Sequence, residues 1–325
     1  MWLHATHWHC VYWHRPRLEQ KLTGQGVRGM SDPTVGAAFE TDQRPRDWMK
    51  RSQIEGLAAL IVGGGSGMGA ACARTFAAND GLVIVADLSL ENAERVASEI
   101  RQSRGKAVAI GLDVSKPANI DAAVQKTLQT YGRLDVLINS ATWSANCMLE
   151  DVDMRDWENA FQTNVHGPLL LARACLPHFR KSPAPAIVFV GSLAGVVGYA
   201  RKSAYSATKG ALITMSRQLA LEWAVDNIRV NVLIPGTIDS PLFRKMVRPE
   251  ILATFERATP MGRLGLASEM ADLAIFLVSP AASFITGQTI NCCGGFSINT
   301  FVVPAGMTET LIEARQRERD VAGDL

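Results

Sequence analysis

The sequence lacks three features that would place the protein in a specialised class. No apolar run approaches the ~18 to 20 residues needed to cross a bilayer, so we expect no membrane partner. Charge of one sign is scarce, because 33 basic and 31 acidic residues leave a net charge of +2; this argues against a nucleic-acid partner. The six cysteines have neither metal-ligand spacing nor the density of a disulfide scaffold, so we predict no metal site and a reducing, cytoplasmic setting.

Residues 1–52 differ in composition from the rest of the chain. Four of the six histidines and three tryptophans lie within the first 14 positions, without helical or strand periodicity. Such a cluster is compatible with a metal site or with an unstructured extension, and we expect the extension. The segment shows neither an apolar core with a small-residue cleavage site nor an Arg/Ser-rich amphipathic pattern, so no targeting signal is predicted.

From residue 53 to residue 300 the sequence alternates between apolar runs of strand length and helix-forming segments. This alternation predicts a single α/β domain of the Rossmann type, doubly wound, with a central, mostly parallel sheet of about seven strands flanked by helices. Residues 301–325 form a charged, partly helical tail, which is either a solvated terminal helix or a cover for a neighbouring subunit's cleft. The clearest runs are Leu57–Val62, Leu82–Ala86, Ala107–Leu112, Leu134–Asn139, Ala186–Val190 and Ile228–Ile234.

A glycine cluster, from Gly63 to Gly69, follows the first apolar run directly and leads into helix-forming sequence. A strand, a glycine turn and a helix in this order let main-chain amides and a helix N-terminus approach a pyrophosphate. Asp87 ends the second run, 18 residues after Gly69. In a dinucleotide-binding fold, a carboxylate at that place binds the adenosine ribose.

Tyr205 and Lys209 lie four residues apart in helix-forming sequence and therefore share one helix face. A phenol titrates near ~10, so it exchanges protons near neutral pH only where a close positive charge favours the phenolate. We expect Lys209 to supply that charge. Ser192 follows the run Ala186–Val190 and would polarise a substrate carbonyl. Taken alone, the Tyr and Lys spacing also fits an ordinary amphipathic pair on a solvated helix.

Together, these residues resemble the short-chain dehydrogenase/reductase family over roughly residues 54–298. The resemblance implies a catalytic set of Asn164, Ser192, Tyr205 and Lys209, in which Asn164 holds a water that links Lys209 to solvent. Lys209 would also hydrogen-bond the nicotinamide ribose. The cofactor-binding residues that it implies, beyond Tyr205 and Lys209, are Gly63, Gly65, Ser66, Gly67, Met68, Gly69, Asp87, Leu88, Asp113, Val114, Asn139, Ala141, Pro235, Gly236, Thr237 and Ile238.

The sequence departs from the family pattern at the ends of two strands. Val62 stands where the family usually has Thr, and Ser140 and Thr142 replace an Asn and a Gly. Our hypothesis is that the two hydroxyls partly replace the polar contacts that Val62 cannot make; simple drift is the alternative. Cys293 replaces a usual Asp, and we expect it and Cys292 to be small buried side chains rather than a disulfide.

The function implied is that of an NAD(H)-dependent oxidoreductase, which interconverts a secondary alcohol and a ketone with Tyr205 as general acid/base. The alternatives are an NADP(H)-dependent 3-oxoacyl-type reductase and a non-catalytic dinucleotide-binding regulator. We expect NAD(H) to be preferred over NADP(H), because Asp87 would repel a 2′-phosphate. Neither Leu88 nor Ser66 offers a compensating cation. Arg95 and Arg104, on the following helix, are predicted to lie too far away to help.

The substrate and the oligomeric state are less constrained. The family often pairs through the helices predicted at 154–179 and 203–225, so we expect a homodimer or homotetramer. The predicted substrate lining is apolar and favours a small-molecule alcohol or ketone with an apolar or cyclic body, although each residue could instead be core or subunit contact. That lining is Trp143, Met148, Val196, Val197, Tyr199, Leu242, Phe243 and Met246.

Overall fold

The computed structural model describes residues 47–240, 243–244 and 247–299. Most of the N-terminal extension, the tail from residue 300, and the predicted lining residues Leu242 and Met246 lie outside these ranges. The strands of the sheet are β1 Ala58–Val62, β2 Leu82–Asp87, β3 Lys106–Gly111, β4 Val136–Asn139, β5 Ala186–Val190, β6 Arg229–Pro235 and β7 Thr289–Cys292.

These strands form one sheet in the order β3-β2-β1-β4-β5-β6-β7, and every neighbouring pair is parallel. The order reverses between β1 and β4, as in a doubly wound sheet. Each residue of β1 and β5 is buried, because helices cover both faces of the sheet. Strands in that position therefore consist of apolar residues. The predicted Rossmann-type fold is confirmed.

In the described ranges, no helix is long and apolar enough to pass through a membrane. The α-helices are numbered here in chain order. They are α1 Trp48–Arg51, α2 Gly67–Ala78, α3 Leu90–Gln102, α4 Pro117–Tyr131, α5 Met154–Phe161, α6 Gly167–Phe179, α7 Ser203–Trp223, α8 Pro249–Ala258 and α9 Ala267–Val278.

The single helix predicted over residues 154–179 is interrupted. A π turn at Gln162–His166 separates α5 from α6, and Pro168 follows it in the first turn of α6. Proline has no amide N–H, so Pro168 cannot donate to the carbonyl of Asn164 as the fourth residue along a regular helix would. The wider turn is where Asn164 lies, fully buried.

The folded unit begins before the boundary predicted at residue 53. Arg51 donates hydrogen bonds to the Pro280 carbonyl at 2.9 Å and to the Ser283 hydroxyl at 2.7 Å. The ring of Trp48 lies 5.9 Å from that of Phe276, between centroids. The segment Trp48–Arg51 therefore belongs to the unit that contains the sheet.

Candidate active site

The predicted site residues collect at the carboxyl edge of the sheet. Gly63 follows β1, Asp87 ends β2, Asn139 ends β4, Ser192 lies two residues after β5, and Pro235 ends β6. Because all strands are parallel, these positions lie along one edge. Open α/β sheets bind their ligands at this edge, near the point where the strand order reverses.

The glycine loop approaches its neighbours too closely for side chains at two positions. A Cβ on Gly63 would lie 2.7 Å from the amide nitrogen of Ala141, and Gly63 also has a φ of +72°. A Cβ on Gly69 would lie 2.1 Å from the carbonyl oxygen of Gly63. The loop between β1 and α2 can therefore fold this tightly only with glycine at these positions.

The N-terminus of α2 is open to an anion. The helix begins at Gly67, earlier than the alanine-rich segment predicted to form it, and so includes Met68 and Gly69 in its first turn. Ser66 occupies the capping position, but its side chain makes no hydrogen bond to the first-turn amides. Ser66 and Gly67 are also exposed to solvent. First-turn amides that point outward from a helix N-terminus fit a pyrophosphate, as the sequence predicts.

Asp87 fixes the glycine loop and the turn after β2. Its Oδ2 accepts a hydrogen bond from the amide of Gly65 at 2.9 Å, and its Oδ1 accepts one from the amide of Ser89 at 3.0 Å. An ionised carboxylate offers about four acceptor positions, so both oxygens can still accept ribose hydroxyls. Leu88 beside it is 77% exposed and contributes no charge.

The prediction that Arg95 lies too far from this region is wrong. Its Nη2 donates to the carbonyl of Gly65 at 2.8 Å, so its guanidinium and the carboxylate of Asp87 both contact Gly65. Its Nη1 donates to Glu99 at 2.8 Å, and Glu99 also pairs with Arg74. The prediction counted the distance along the helix axis only. The long side chain of Arg95 extends back towards the glycine loop and closes that distance.

Three further residues that the resemblance assigns to the cofactor also lie at this edge. Asp113 accepts hydrogen bonds from the amide and hydroxyl of Ser115, at 2.9 Å and 2.7 Å. Val114 is buried against Gly167, where an added Cβ would come within 2.9 Å of it. Asn139 accepts a hydrogen bond from the amide of Ala141 at 3.1 Å. These contacts fix the turns after β3 and β4 and pack Val114 against the start of α6.

The two hydroxyls that depart from the family pattern have different partners. Ser140 Oγ lies 3.2 Å from the carbonyl oxygens of Val62 and of Gly63, so it provides the polar link between β1 and β4 that Val62 cannot. Thr142 instead donates to Asn164 Oδ1 at 3.3 Å. The hypothesis therefore holds for the contacts of Ser140 and not for those of Thr142. Cys293 is only partly buried, with Ser297 Oγ 3.2 Å from its sulfur.

Tyr205 faces the turn that carries Ser192. Burial raises the pKa of the Tyr205 phenol, and hydrogen bonds with the side chains of Ser192 and Thr142 oppose this without cancelling it. Tyr205 is therefore a neutral phenol near neutral pH in this structure. The expected lowering of the tyrosine pKa by Lys209 is not the dominant effect.

Lys209 is buried beside the phenol. Its Nζ lies 5.6 Å from the centroid of the Tyr205 ring and donates to the carbonyl of Val190 at 2.8 Å. Burial lowers the pKa of the Lys209 ammonium to about 8. The same burial therefore disfavours the charged form of Lys209 and the charged form of the phenol.

The side chain of Asn164 is fully engaged. Its Nδ2 donates to the Trp143 carbonyl at 2.9 Å and to Thr208 Oγ1 at 3.0 Å. Its Oδ1 accepts from the Trp143 amide at 2.8 Å and from the hydroxyl of Thr142. Two donors and two acceptor positions are all that an asparagine amide has. A water on Asn164 would thus have to bind its main-chain carbonyl, to which Pro168 cannot donate.

A cleft of about 300 Å³ opens beside Tyr205. Of the predicted lining residues that the structure describes, only Tyr199 lines it. Met148, Val196 and Val197 are 44%, 51% and 47% exposed, and Phe243 packs against Phe255. Apart from Tyr199, the described residues that were predicted to line the cleft are therefore the wrong ones, because loop conformation decides which side chains face it. Apolar side chains do line the cleft, but they are Leu193, Ala194, Pro235 and Phe296. The polar lining consists of Thr142, Ser144, Ser192, Tyr199, Lys202 and Tyr205.

Two of these lining residues, Ser144 and Lys202, were missed by the sequence analysis. Lys202 Nζ lies 5.5 Å from the centroid of the Tyr205 ring and donates to Ser144 Oγ at 3.2 Å. The spacing of three residues between Lys202 and Tyr205 was a usable signal, because such residues are neighbours on a helix surface. Ser144 had no comparable signal, since its position depends on the loop after β4.

Comparison with known proteins agrees with this arrangement. The family model described as enoyl-(acyl carrier protein) reductase matches residues 63–297. A 3-oxoacyl-[acyl-carrier-protein] reductase of Thermotoga maritima is 34% identical over 76% of this chain and 100% of its own length. The chain belongs to the short-chain dehydrogenase/reductase family. It is an oxidoreductase with a nucleotide-binding Rossmann fold.

Other members of the family match this chain over a similar length and with a similar sequence identity. An NAD-dependent glycerol dehydrogenase of Listeria innocua is 32% identical over 77% of this chain and 97% of its own. The solved structure of a 7α-hydroxysteroid dehydrogenase, complexed with NADH and 7-oxo glycochenodeoxycholic acid, superposes with a TM-score of 0.74. It is 30% identical and covers 77% of this chain and 98% of that one. These short-chain dehydrogenase/reductases differ widely in the compounds that they are named for.

Replacing Lys209 by Met is expected to stabilise the protein near neutral pH. The unfolded chain binds a proton with the ordinary lysine affinity, whereas the folded state holds the pKa at about 8. The free energy of unfolding of the wild type therefore rises as the pH increases from about 8 towards ~10.4, the lysine pKa in the unfolded chain. Below about pH 8 the folded protein carries the full free-energy cost of the buried ammonium. We expect Lys209→Met to raise the free energy of unfolding by about 2 kcal/mol at pH 7 and by less at pH 10. This figure allows for the lost hydrogen bond to the Val190 carbonyl, which reduces the gain.

Denaturant unfolding of both proteins at pH 7 and pH 10 measures this difference. Lys126→Met is the matched control, because Lys126 is exposed on α4 and its loss should change stability by less than about 0.5 kcal/mol at either pH. A Lys209→Met gain that does not shrink at pH 10 would show that the buried charge is not its cause.

Proposed function

We propose that this oxidoreductase interconverts a secondary alcohol and a ketone, with NAD(H) as cofactor and Tyr205 as general acid/base. The observation that carries the proposal is the setting of the Tyr205 phenol. It borders the cleft, is hydrogen-bonded to Ser192 and Thr142, and has a raised pKa. A protonated, partly buried phenol beside a cleft suits proton transfer to and from a substrate oxygen.

The carboxyl edge of the sheet fits a dinucleotide. The open N-terminus of α2 would hold the pyrophosphate, Asp87 the adenosine ribose, and the segment Pro235–Ile238 the nicotinamide. Gly236 and Thr237 line the cleft beside Tyr205, so this segment reaches the reacting region. When bound, the cofactor supplies or accepts the hydride.

The residues of the chain would move the proton and orient the substrate. In reduction, Tyr205 donates its proton to the carbonyl oxygen; in oxidation, its phenolate accepts the hydroxyl proton. Ser192 Oγ accepts a hydrogen bond from the Ala194 amide at 3.2 Å, which fixes the position of the oxygen. Its hydrogen, which bonds with Tyr205 in this structure, would turn to the substrate oxygen. Lys209 would stabilise the phenolate as it forms. General acid-base catalysis of this kind contributes about 10² to 10⁴ in rate.

The alternatives are not favoured equally. A reductase of 3-oxoacyl substrates is the activity named for the Thermotoga maritima relative. A non-catalytic regulator would have no need to keep Tyr205, Lys209 and Ser192 together at the cleft. Their contacts favour a catalytic protein over a regulator. The relatives are named for different compounds, so they do not indicate one substrate. The substrate of this chain therefore has to be inferred from its own cleft.

Replacing Tyr205 by Phe is expected to lower kcat/KM at least 10²-fold, because the proton donor is lost while the ring is kept. Binding of NADH, followed by its fluorescence, should change less than about twofold, since Asp87 and the glycine loop are untouched. The matched control is Tyr131→Phe, which removes a hydroxyl that bonds only to the carbonyl of Val83 at 3.0 Å among the described residues. Retention of more than a few per cent of turnover by Tyr205→Phe would remove its assigned role.

The preference for NAD(H) over NADP(H) depends on the balance between Asp87 and Arg95. A 2′-phosphate at ~4 Å from the carboxylate would be repelled by about 4 kcal/mol at an effective dielectric of ~20. Arg95 offsets part of this repulsion, because its guanidinium contacts the same loop. Its charge is shared with Glu99, so we expect the carboxylate to dominate.

We expect wild type to have the higher kcat/KM with NAD and Asp87→Ala to shift the ratio at least tenfold towards NADP. Adding Arg95→Ala to that variant should abolish most of the shift, because the remaining cation is removed. Arg74→Ala is the matched control, since Arg74 pairs with the same Glu99 at 2.6 Å without contacting Gly65. Wild type that prefers NADP, or an Asp87→Ala variant with an unchanged ratio, would contradict the assignment.

A homo-oligomer is the proposed assembly. Met154 at the start of α5 and Leu221 near the end of α7 are 60% and 73% exposed, so both apolar side chains are available for a contact with a second copy. These helices span the regions through which the resemblance predicts pairing. Light scattering should give a mass of at least twice 35.2 kDa, and a mass equal to 35.2 kDa would overturn the proposal.

A further inference from the structure

Lys202 places a second cation in the cleft beside Tyr205. It precedes α7 directly, and its Nζ lies 5.5 Å from the centroid of the Tyr205 ring. Its one hydrogen-bond partner among the described side chains is the neutral hydroxyl of Ser144, at 3.2 Å. Both residues line the cleft in which the substrate oxygen would meet Tyr205.

Lys202 lacks a counter-charge in the described part of the chain. Among the described residues, no carboxylate lies within 4.0 Å of the Lys202 ammonium. Lys202 is also partly buried, and burial lowers the pKa of its ammonium. An ammonium withdrawn from water without a counter-charge costs free energy, which an anionic ligand would recover.

The main chain around Lys202 is held in place. The amide of Cys147 donates to the carbonyl of Arg201 at 3.1 Å, and the hydroxyl of Ser203 donates to the carbonyl of Cys147 at 3.0 Å. These bonds join the loop after β4 to the start of α7, on either side of Lys202 and three residues after Ser144. The two side chains therefore reach the cleft from anchored backbone, which limits the entropy lost on binding.

We infer that Lys202 and Ser144 bind a carboxylate on the substrate, so that the protein acts on a hydroxy acid and the corresponding oxo acid. The inference rests on the proposed function and names its substrate class. An ammonium has three donors, and Ser144 occupies one, so two remain for the carboxylate oxygens. The Ser144 hydroxyl can turn to donate to the same group. The ketone oxygen then lies at Tyr205 while the acid group is held at Lys202.

Two ketones that differ only in charge test this inference. 4-Oxocyclohexanecarboxylate and its carboxamide have nearly the same size, and only the first is an anion. We expect wild type to prefer the acid roughly tenfold to hundredfold in kcat/KM, mainly through KM, as one charge-assisted contact allows. In Lys202→Met this ratio should fall to about one, and in Lys202→Arg it should be largely retained. Lys126→Met, which removes an exposed lysine on α4, should keep the wild-type ratio.

Each outcome decides between specific explanations. Equal use of acid and amide by wild type overturns the inference. A loss in Lys202→Met that is the same for both ketones also overturns it, because Lys202 would then act only on Tyr205. If neither ketone is turned over, calorimetric titration with cyclohexanecarboxylate separates the two claims. Binding that Lys202→Met abolishes supports the carboxylate site and counts against the proposed reaction, whereas no binding to wild type overturns the site.

Discussion

Burial of the Lys209 ammonium beside the Tyr205 phenol is the constraint on which the site depends. The ammonium has one strong partner, the carbonyl of Val190 at the end of β5. Gly195 makes the arrangement possible, because a Cβ there would lie 2.6 Å from the main chain of Lys209. The turn that carries Ser192 can therefore pack directly on α7. The packing brings hydroxyl, phenol and ammonium together, and it disfavours the charged forms of both Tyr205 and Lys209.

The rest of the fold supplies the two walls of the cleft. The parallel sheet brings the glycine loop, Asp87 and the end of β6 to one edge. The π turn between α5 and α6 places Asn164 where its amide joins Trp143, in the loop after β4, to Thr208 on α7. This amide is the link between the loop that carries Thr142 and the helix that carries Tyr205. Wider helical turns of this kind are frequent at functional sites.

The elements with strong local signals could be predicted from the sequence. Continuous apolar runs fixed the strands of the buried sheet, and the glycine spacing fixed the loop at the N-terminus of α2. The helical spacing of Tyr205 and Lys209 was equally direct. The π turn also had a signal in Pro168, because proline cannot continue the hydrogen-bond pattern of a regular helix.

Other features depended on side-chain reach and loop conformation. Arg95 contacts Gly65 because its side chain extends back along α3, which residue counting along the helix does not show. One side of the cleft is polar because the loop after β4 and the start of α7 present Ser144 and Lys202, while Val196 and Val197 are about half exposed elsewhere. Single-residue patterns do not determine which side of a loop faces a cleft. The charge balance at Tyr205 likewise required knowledge of its burial.

Transfer of isotope from the cofactor to a ketone is the most direct test of the central claim. The protein is incubated with NADH that carries deuterium at the reactive carbon and with a panel of neutral and acidic ketones, and the products are analysed by mass spectrometry. The account predicts an alcohol with a single deuterium on the carbinol carbon. A protein that binds the NADH, as shown by its fluorescence, but labels no product from any ketone would contradict it.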